Sequence, residues 1–388
     1  MQLFRNLYRA TFISRPNRYT VWCGLEGRRE KAYLPNPGRL EELFFPGSVL
    51  YLEKAENPER ATLYTAVAVQ REGLPVMLHT HRTNDVAGHL IEMGRVPGLE
   101  GAEILRREVT QGRSRFDFLL GRGREKIFVE VKSCTLFSRH VAMFPDAVTA
   151  RGTKHVNELA ALPDSNTSAV VLFVVHTLKP RCFLPEYHRD PAFAQALFLA
   201  REKVRIIPMA IGWNQDLTLQ GDTRVLEIPW QWLEREAHDR GSYLIVLHLA
   251  GDCVIEIGKL GRIRFRKGYY VYVGSAMSGL TKRIARHQRL RKKKFWHIDY
   301  LRSACRFMAG LPVRASADLE CAIAQGMHRI AAEEVPDFGS SDCSCRSHLF
   351  RMDRHPLDAP EFHALLQQFR MDRAVSPVRP AGRKNKGK

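Results

Sequence analysis

Residues 114–133, SRFDFLLGRGREKIFVEVKS, decide the fold of the middle of the chain. Two apolar runs flank GRGREK, a glycine-rich turn that predicts a β-hairpin. Residues two apart on a strand point to the same face of a sheet, so Glu130 and Lys132 share one face, and Asp117 lies on the neighbouring strand. The stretch therefore predicts a sheet that carries two carboxylates and an amine close together.

This combination of side chains suits metal-assisted cleavage of a phosphodiester. Two carboxylates can hold a divalent cation against a phosphate, and an adjacent lysine can orient or help to deprotonate an attacking water while it stabilises negative charge. We predict Asp117 and Glu130 as ligands of Mg²⁺ or Mn²⁺, and Lys132 as a catalytic residue. An ion pair on a solvated strand face is the alternative, and the apolar residues on both sides of Glu130 weigh against it.

The surrounding pattern indicates a mixed α/β domain over 83–233. The run AVVLFVV at 169–175 is typical of a strand buried on both faces, and helical patterns at 84–94, 153–162 and 192–203 would cover a central sheet. In FPDAVTARGTKH, residues 144–155, the residues Arg151, Lys154 and His155 fall on one helix face. We predict that this face contacts nucleic-acid phosphates.

Residues 1–82 alternate short β-type runs with turn signals, a pattern typical of a small antiparallel barrel. Within them, GRLEELF at 38–44 predicts one short helix, because its apolar residues recur at three- and four-residue spacing. Strands around a single short helix indicate an OB-like barrel.

Four segments between residues 34 and 159 together resemble the SfsA family, the sugar fermentation stimulation proteins, and the resemblance extends over about residues 1–230. The resemblance implies an OB-type barrel over 1–82, a PD-(D/E)xK nuclease-like domain over 83–233, and DNA binding. It also implies that Asp117, Glu130 and Lys132 take the metal-binding and water-activating positions, with Glu108 as a weaker acidic candidate and Arg39 as a nucleic-acid contact. The segments are LPNPGRLEELFFPG (34–47), EVTQGRSRFDFLL (108–120), FVEVKSCTL (128–136) and FPDAVTARGTKHVNEL (144–159).

A third unit is predicted over 241–373, after a charged linker at 234–240. Tyr243 and Tyr272 lie on strand patterns, Arg283 and His287 fall at i and i+4 on a basic helix, and Glu320 lies on a later helix. These five residues could surround one phosphodiester, with tyrosine as base or water-positioner, arginine on the phosphate and glutamate on Mg²⁺. A purely structural role for aromatic strands and a basic helix is the alternative.

The basic helix leads into a run of cations beside aromatic side chains. Neutralisation of the backbone together with base stacking is a natural use of such a run, and a solvated basic helix is the alternative. The predicted nucleic-acid contacts here are Arg286, Arg291, Lys292, Lys293, Lys294 and Trp296.

Cys343, Cys345 and His348 form a C-x-C-x2-H motif that could bind Zn²⁺, and Cys321 or Cys305 could supply a fourth ligand. A turn without metal is the alternative. The other cysteines are scattered singly and do not predict a disulfide framework.

The segments GSY, YVG, WHIDYL and SSDCSCRSHLF give residues 241–352 a resemblance to the GIY-YIG-like domains that also occur attached to endonuclease III homologues. Tyr243 and Tyr272 are 29 positions apart, which is longer than the usual spacing in that family. We therefore predict an extra hairpin at 253–268. The resemblance implies the fold and leaves cleavage open.

The composition favours a polyanionic partner for this mixed α/β multidomain protein. The chain has 388 residues, with 60 Lys and Arg against 41 Asp and Glu, a formal charge of +19. Nucleic acid is the predicted partner, most plausibly DNA, although nothing in the residues distinguishes DNA from RNA. We predict no membrane span, a cytoplasmic location, and a disordered basic tail at 374–388. Two functions stay open: a Mg²⁺-dependent nuclease, or a non-catalytic DNA-binding regulator of sugar (maltose-type) metabolism genes.

Overall fold

The computed structural model describes residues 1–57 and 59–376 and divides into two compact units, with the boundary between Trp230 and Gln231. Among the described residues, no helix is both long and apolar enough to cross a membrane. The mixed α/β multidomain class predicted from the sequence is confirmed. The predicted basic tail lies outside the described residues except for 374–376.

The first unit begins with a six-stranded sheet in the order β3-β2-β1-β4-β5-β6, in which parallel pairing of β3 with β5 closes β1–β5 into a barrel and β6 is attached to β5. The short helix predicted over 38–44 is wrong. Leu40 has a positive φ of 54° and its amide donates to Asp146 Oδ2 at 3.1 Å, so the segment forms a turn that buries its apolar side chains. The strands are β1 (Leu7–Asn17), β2 (Thr20–Leu25), β3 (Arg28–Tyr33), β4 (Val49–Lys54), β5 (Tyr64–Arg71) and β6 (Leu74–Met77).

A mixed sheet follows in the order β15-β14-β12-β9-β8-β7, in which β9, β12 and β14 run parallel. Helix α1 packs on one face of this sheet, and α2 and α3 pack on the other, so β12 is buried on both faces as predicted. A smaller sheet has the order β10-β11-β13. The elements are α1 (Thr80–Glu92), β7 (Glu103–Gln111), β8 (Ser114–Arg122), β9 (Glu125–Cys134), β10 (Leu136–Phe137), β11 (Val141–Phe144), α2 (Ala150–Leu159), β12 (Thr167–Val175), β13 (Cys182–Pro185), α3 (Pro191–Ala200), β14 (Arg205–Trp213) and β15 (Leu219–Val225).

The linker predicted at 234–240 is instead a packed part of the second unit. Helix α4 (Trp230–Glu236) ends at Glu236, which is 1 % exposed. Its carboxylate accepts hydrogen bonds from Ser316 Oγ at 2.6 Å and from Arg373 Nη1 at 2.9 Å. Glu236 therefore anchors this segment by buried ion pairing, although Glu234, Arg235 and Asp239 beside it are exposed.

The second unit is built on a five-stranded antiparallel sheet in the order β20-β16-β19-β22-β21. The separate hairpin β17–β18 is the predicted insertion between Tyr243 and Tyr272. Short 3₁₀ helices cover Gly258–Leu260, Pro356–Asp358 and Asp372–Ala374. The other elements are β16 (Gly241–Leu249), β17 (Cys253–Glu256), β18 (Arg262–Phe265), β19 (Gly268–Ala276), α5 (Leu280–Gln288), α6 (His297–Arg302), β20 (Arg306–Arg314), α7 (Glu320–His328), β21 (Glu333–Glu334), β22 (Leu349–Met352) and α8 (Pro360–Arg370).

Candidate functional site

The carboxylate pair predicted from the hairpin lies on adjacent strands. Strands β8 and β9 pair Phe118 with Val129, which brings Asp117 beside Glu130. Asp117 accepts a hydrogen bond from Asn84 Nδ2 on one carboxylate oxygen and from a main-chain amide of β9 on the other, both at 2.7 Å. Burial, reinforced by the carboxylate of Glu130, raises the pKa of Asp117 to about 6.

Glu130 is 4 % exposed and is held by two cationic or polar neighbours. Its Oε1 lies 2.6 Å from His155 Nδ1 and also accepts a hydrogen bond from Lys132 Nζ. Burial acts to raise its pKa, but the bonds with His155 and Lys132 hold the pKa below the ordinary value. Its Oε2 is buried and has no hydrogen-bond partner among the described residues. One carboxylate is therefore ionised and the other is biased toward its neutral form.

These residues line a cavity of about 940 Å³ in the first unit. The β8–β9 hairpin contributes two carboxylates and an amine to the cavity wall, from Asp117, Glu130 and Lys132. Basic side chains from both the barrel and the α/β domain line the same cavity, so a phosphate backbone would meet several cations on its way to the carboxylates. The arginines of the lining are Arg15, Arg18, Arg39, Arg115 and Arg151.

The three residues of α2 that were predicted to contact phosphate have different surroundings in the structure. Arg151 lines the cavity, as does Arg39 from the barrel. Lys154 does not line the cavity, and its Nζ donates to the Arg113 carbonyl at 3.0 Å. His155 is 4 % exposed, so the prediction that it touches nucleic acid is corrected: it positions Glu130.

The weaker acidic candidate, Glu108, also lines the cavity, but it forms an ion pair with Arg115 at 2.7 Å. Two residues of the site escaped the sequence analysis. Asn84 orients Asp117, and Arg15 reaches the cavity from β1. Nothing in their local sequence signals either role, because both act across long separations in the chain.

The second unit brings its five predicted residues into one neighbourhood. Tyr243 OH lies 2.9 Å from His287 Nε2, and the rings of Tyr243 and Tyr272 are 6.4 Å apart. Burial, followed by the positive charge of nearby Lys292, lowers the pKa of His287 to about 3, so this imidazole is neutral. Burial raises the pKa of both tyrosines, and the charges of Arg283 and Glu320 also act on them.

Glu320 begins α7 with both carboxylate oxygens engaged. Its Oε2 accepts a hydrogen bond from Ser275 Oγ at 2.6 Å, and its Oε1 lies 2.8 Å from His348 Nδ1. Ser275 Oγ also lies 3.0 Å from Asp318 Oδ2. Ser275 and Asp318 were missed in the sequence, where Glu320 was the one carboxylate placed near this group.

Part of the predicted basic contact surface is instead structural. The carboxylate of Asp299, whose side chain is 0 % exposed, binds both Arg286 amino groups at 3.0–3.1 Å and Lys292 Nζ at 2.7 Å. The guanidinium groups of Arg283 and Arg286 lie 4.3 and 4.4 Å from the Trp296 ring centre. The predicted roles of Arg286 and Lys292 are thus corrected to pairing with this buried carboxylate, which requires cations. The half-buried Trp296 ring contacts the two arginines, and its role as a nucleic-acid contact stays a prediction.

The remaining residues of the run are accessible. Arg291, Lys293 and Lys294 are exposed, and Lys294 Nζ lies 4.8 Å from the centre of the Tyr300 ring. Phe295 between them and α6 is 75 % exposed. These three cations and the exposed Phe295 ring therefore form a smaller surface that a polyanion could contact.

The cysteines of the C-x-C-x2-H motif meet a third cysteine from α7. One ligand atom each from Cys321, Cys343, Cys345 and His348 lie within 4.8 Å of one another. The fourth candidate ligand is therefore Cys321. Cys305 is buried in a different apolar cluster.

Comparisons with known protein families agree with this architecture. Residues 13–78 match the SfsA N-terminal OB domain, and residues 81–216 match the sugar fermentation stimulation protein RE domain. Residues 242–371 match the domain of unknown function DUF123, which is GIY-YIG-like. Both resemblances noted in the sequence are thereby confirmed.

Individual relatives support the first match. The chain is 40 % identical over 210 residues to a sugar fermentation stimulation protein homolog of Methanothermobacter thermautotrophicus, covering 54 % of this chain and 88 % of that protein. A homolog of Clostridium tetani is 33 % identical over 229 residues, covering 58 % and 100 %. The structure of Pyrococcus furiosus SfsA in complex with Ca²⁺ superposes with a TM-score of 0.54 at 28 % identity, covering 59 % of this chain and 97 % of that one. Through its barrel and α/β domain, the chain belongs to the sugar fermentation stimulation protein family.

Proposed function

We propose that the first unit is a divalent-cation-dependent phosphodiesterase acting on DNA, in which Asp117 and Glu130 hold Mg²⁺ or Mn²⁺. The observation that carries this proposal is Glu130 Oε2, a buried carboxylate oxygen for which the described part of the chain offers no hydrogen-bond partner. Leaving such an atom unpaired costs free energy, and a hard cation with oxygen ligands satisfies it. The related Pyrococcus furiosus SfsA, whose structure is a Ca²⁺ complex, supports a cation of this class.

The chain supplies the rest of the chemistry with its own residues. A bound cation would contribute Lewis acidity toward a phosphate oxygen. Lys132, on the cavity wall beside Glu130, is placed to orient a water and to stabilise negative charge on the phosphate. His155 keeps the Glu130 carboxylate in one orientation, which leaves Oε2 free to bind.

A nucleic acid suits the cavity because arginines from both the barrel and the α/β domain line it. Arginine forms bidentate bonds with phosphate, and the barrel and the α/β domain contribute arginines independently. The formal charge of +19 adds long-range attraction. These features equally support binding without cleavage, so a regulator of sugar-metabolism genes is the alternative that the family name favours.

The test uses the full chain, stripped of metal by a chelator, on single-stranded, duplex and branched DNA with Mg²⁺ or Mn²⁺. We expect Lys132→Ala to lower the cleavage rate by about 10² or more while DNA affinity stays within about twofold. Lys126→Ala is the matched control, because Lys126 lies on the same strand and is exposed. Cleavage by a Lys132→Ala, Arg283→Ala double variant at the rate of Arg283→Ala alone would overturn the assignment, because the candidate site of the second unit is altered equally in both proteins. Binding without cleavage by any form would contradict the phosphodiesterase proposal and favour the regulator alternative.

A second cleavage site in the second unit is favoured by one observation, the 2.9 Å contact between Tyr243 OH and a neutral His287. A neutral imidazole can accept the phenol proton, and Arg283 nearby can hold a phosphate. We expect Arg283→Ala to reduce any DNA cleavage that survives Lys132→Ala. Lys282→Ala, a change of an exposed neighbour on the same helix, should leave it intact. Equal residual cleavage by both proteins would remove Arg283 from a catalytic role.

A further inference from the structure

A compact group of soft donors lies in the second unit, apart from the cavity of the first. Cys321 is the second residue of α7, Cys343 and Cys345 lie in the loop before β22, and His348 immediately precedes that strand. Their ligand atoms lie within 4.8 Å of one another, and Cys343 Sγ is 3.5 Å from His348 Nε2. Three thiols and one imidazole from two separate parts of the chain therefore converge on one point.

The size of this group matches a tetrahedral metal ion. Bonds of about 2.3 Å to sulfur and about 2.0 Å to nitrogen imply ligand-to-ligand distances of roughly 3.5–3.8 Å in a tetrahedron. The distance from Cys343 Sγ to His348 Nε2 already lies in this range. The most distant pair of ligand atoms would have to approach by at most about 1 Å to reach it. Sulfur ligands exclude Mg²⁺ and Ca²⁺, which take oxygen, and a Cys₃His set with four protein ligands is typical of structural zinc.

The histidine of this group has a second contact that fits the same assignment. While Nε2 of His348 faces Cys343, Nδ1 lies 2.8 Å from Glu320 Oε1. A zinc-bound histidine commonly donates its other N–H to a carboxylate, which fixes the ring orientation and strengthens the metal bond. The other oxygen of Glu320 accepts from Ser275 on β19, so the carboxylate links the cysteine group to the central sheet.

We propose that Cys321, Cys343, Cys345 and His348 bind one structural Zn²⁺ and that Glu320 is the positioning residue of His348. This changes the role predicted for Glu320. Its two oxygens serve a histidine and a serine, and it does not supply a Mg²⁺ ligand. The zinc site joins the start of α7 to the loop before β22, two segments that no strand pairing connects.

Zinc itself is the probe for the first test, and the full chain is purified under reducing conditions. Elemental analysis should give one zinc per chain for the wild type, and Cys343→Ser should lose most of it. Cys253→Ser is the matched control, because Cys253 is also a partly exposed cysteine of the second unit but lies outside the group, and it should keep the metal. Absence of stoichiometric metal with all eight thiols reduced, or retention of zinc by Cys343→Ser, would overturn the proposal.

Two measurements remain informative if Cys343→Ser does not fold. Replacement of zinc by Co²⁺ in the wild type should produce the strong visible absorption of a tetrahedral thiolate complex, and a weak octahedral spectrum would contradict the ligand set. Glu320→Gln should lower the zinc affinity about 10- to 100-fold in competition with a chelator, while the stoichiometry at saturating zinc stays at one. Unchanged affinity would show that Glu320 does not position His348.

Discussion

Replacing the buried carboxyl group of Asp117 should make the cation-free protein more stable and at the same time inactive. The pKa of Asp117 rises from 3.8 to about 6 in the folded protein, first through burial and then through Glu130. Between about pH 4 and pH 6 the unfolded chain ionises this carboxyl before the folded protein does, so the folded state loses stability as the pH rises. The shift of about 2 units corresponds to about 3 kcal/mol at pH 8.

Asp117→Asn resembles the neutral carboxyl in shape and does not titrate, and it keeps both hydrogen bonds if the Asn84 amide turns to present its oxygen to the new NH₂ group. We therefore expect this variant to gain about 2–3 kcal/mol in the free energy of unfolding at pH 8 and close to nothing at pH 4. Hydrogen exchange of amides in β9 and β12, measured in the presence of a chelator, reports the first unit separately from the second. Asp85→Asn, a change of an exposed carboxylate on α1, is the control and should stay within about 0.5 kcal/mol at both pH values.

The same variant also tests the metal site. Ca²⁺ should increase the protection of β9 in the wild type, because a ligand that binds only the folded state stabilises it, and it should have little effect on Asp117→Asn. If Asp117→Asn is no more stable than the wild type at pH 8, then burial and repulsion by Glu130 do not destabilise the ionised Asp117 carboxylate. Equal stabilisation of both proteins by Ca²⁺ would refute Asp117 as a ligand.

Three further predictions concern the ion pairs and the charge of the chain. Asp299→Asn should destabilise the second unit by about 3–5 kcal/mol in urea unfolding, because it leaves Arg286 and Lys292 without their buried partner; a loss under 1 kcal/mol would contradict this. Burial and, to a lesser extent, repulsion by the Asp146 carboxylate raise the pKa of Glu42 to about 7. Glu42→Gln should therefore stabilise the first unit by about 3 kcal/mol at pH 8 and not at pH 4, which hydrogen exchange can measure. DNA affinity, measured by fluorescence anisotropy, should fall at least tenfold between about 50 and 200 mM salt, and a flat response would exclude phosphate contacts as its main source.

Local patterns predicted the elements of the first unit well where their period was clear. The hairpin of 114–133, the buried strand at 169–175 and the covering helices all formed as predicted, because apolar runs beside a turn, a continuous apolar run and helical spacing each favour one kind of element. The helix predicted over 38–44 failed for the opposite reason. Its apolar spacing is helical, but Asp146, more than 100 positions away, binds the Leu40 amide and holds a turn.

The candidate sites show the same contrast between local patterns and contacts from distant segments. Residue type and spacing predicted that Asp117, Glu130 and Lys132 lie close together, since they are on two paired strands joined by a short turn. Spacing could not show that His155 turns inward to Glu130 or that Arg286, Lys292 and Trp296 surround a buried Asp299. Whether a cation faces solvent or a carboxylate is decided by packing from distant segments.

Residues close together in the chain were enough to predict the family, the adjacency of Asp117 and Glu130, and three members of the cysteine group. The fold was needed to show that Cys321 joins that group, that Glu320 contacts His348, and that Glu130 Oε2 has no hydrogen-bond partner among the described residues. Each of these facts depends on contacts between segments many residues apart, whose meeting is set by burial of the apolar core and not by any local pattern.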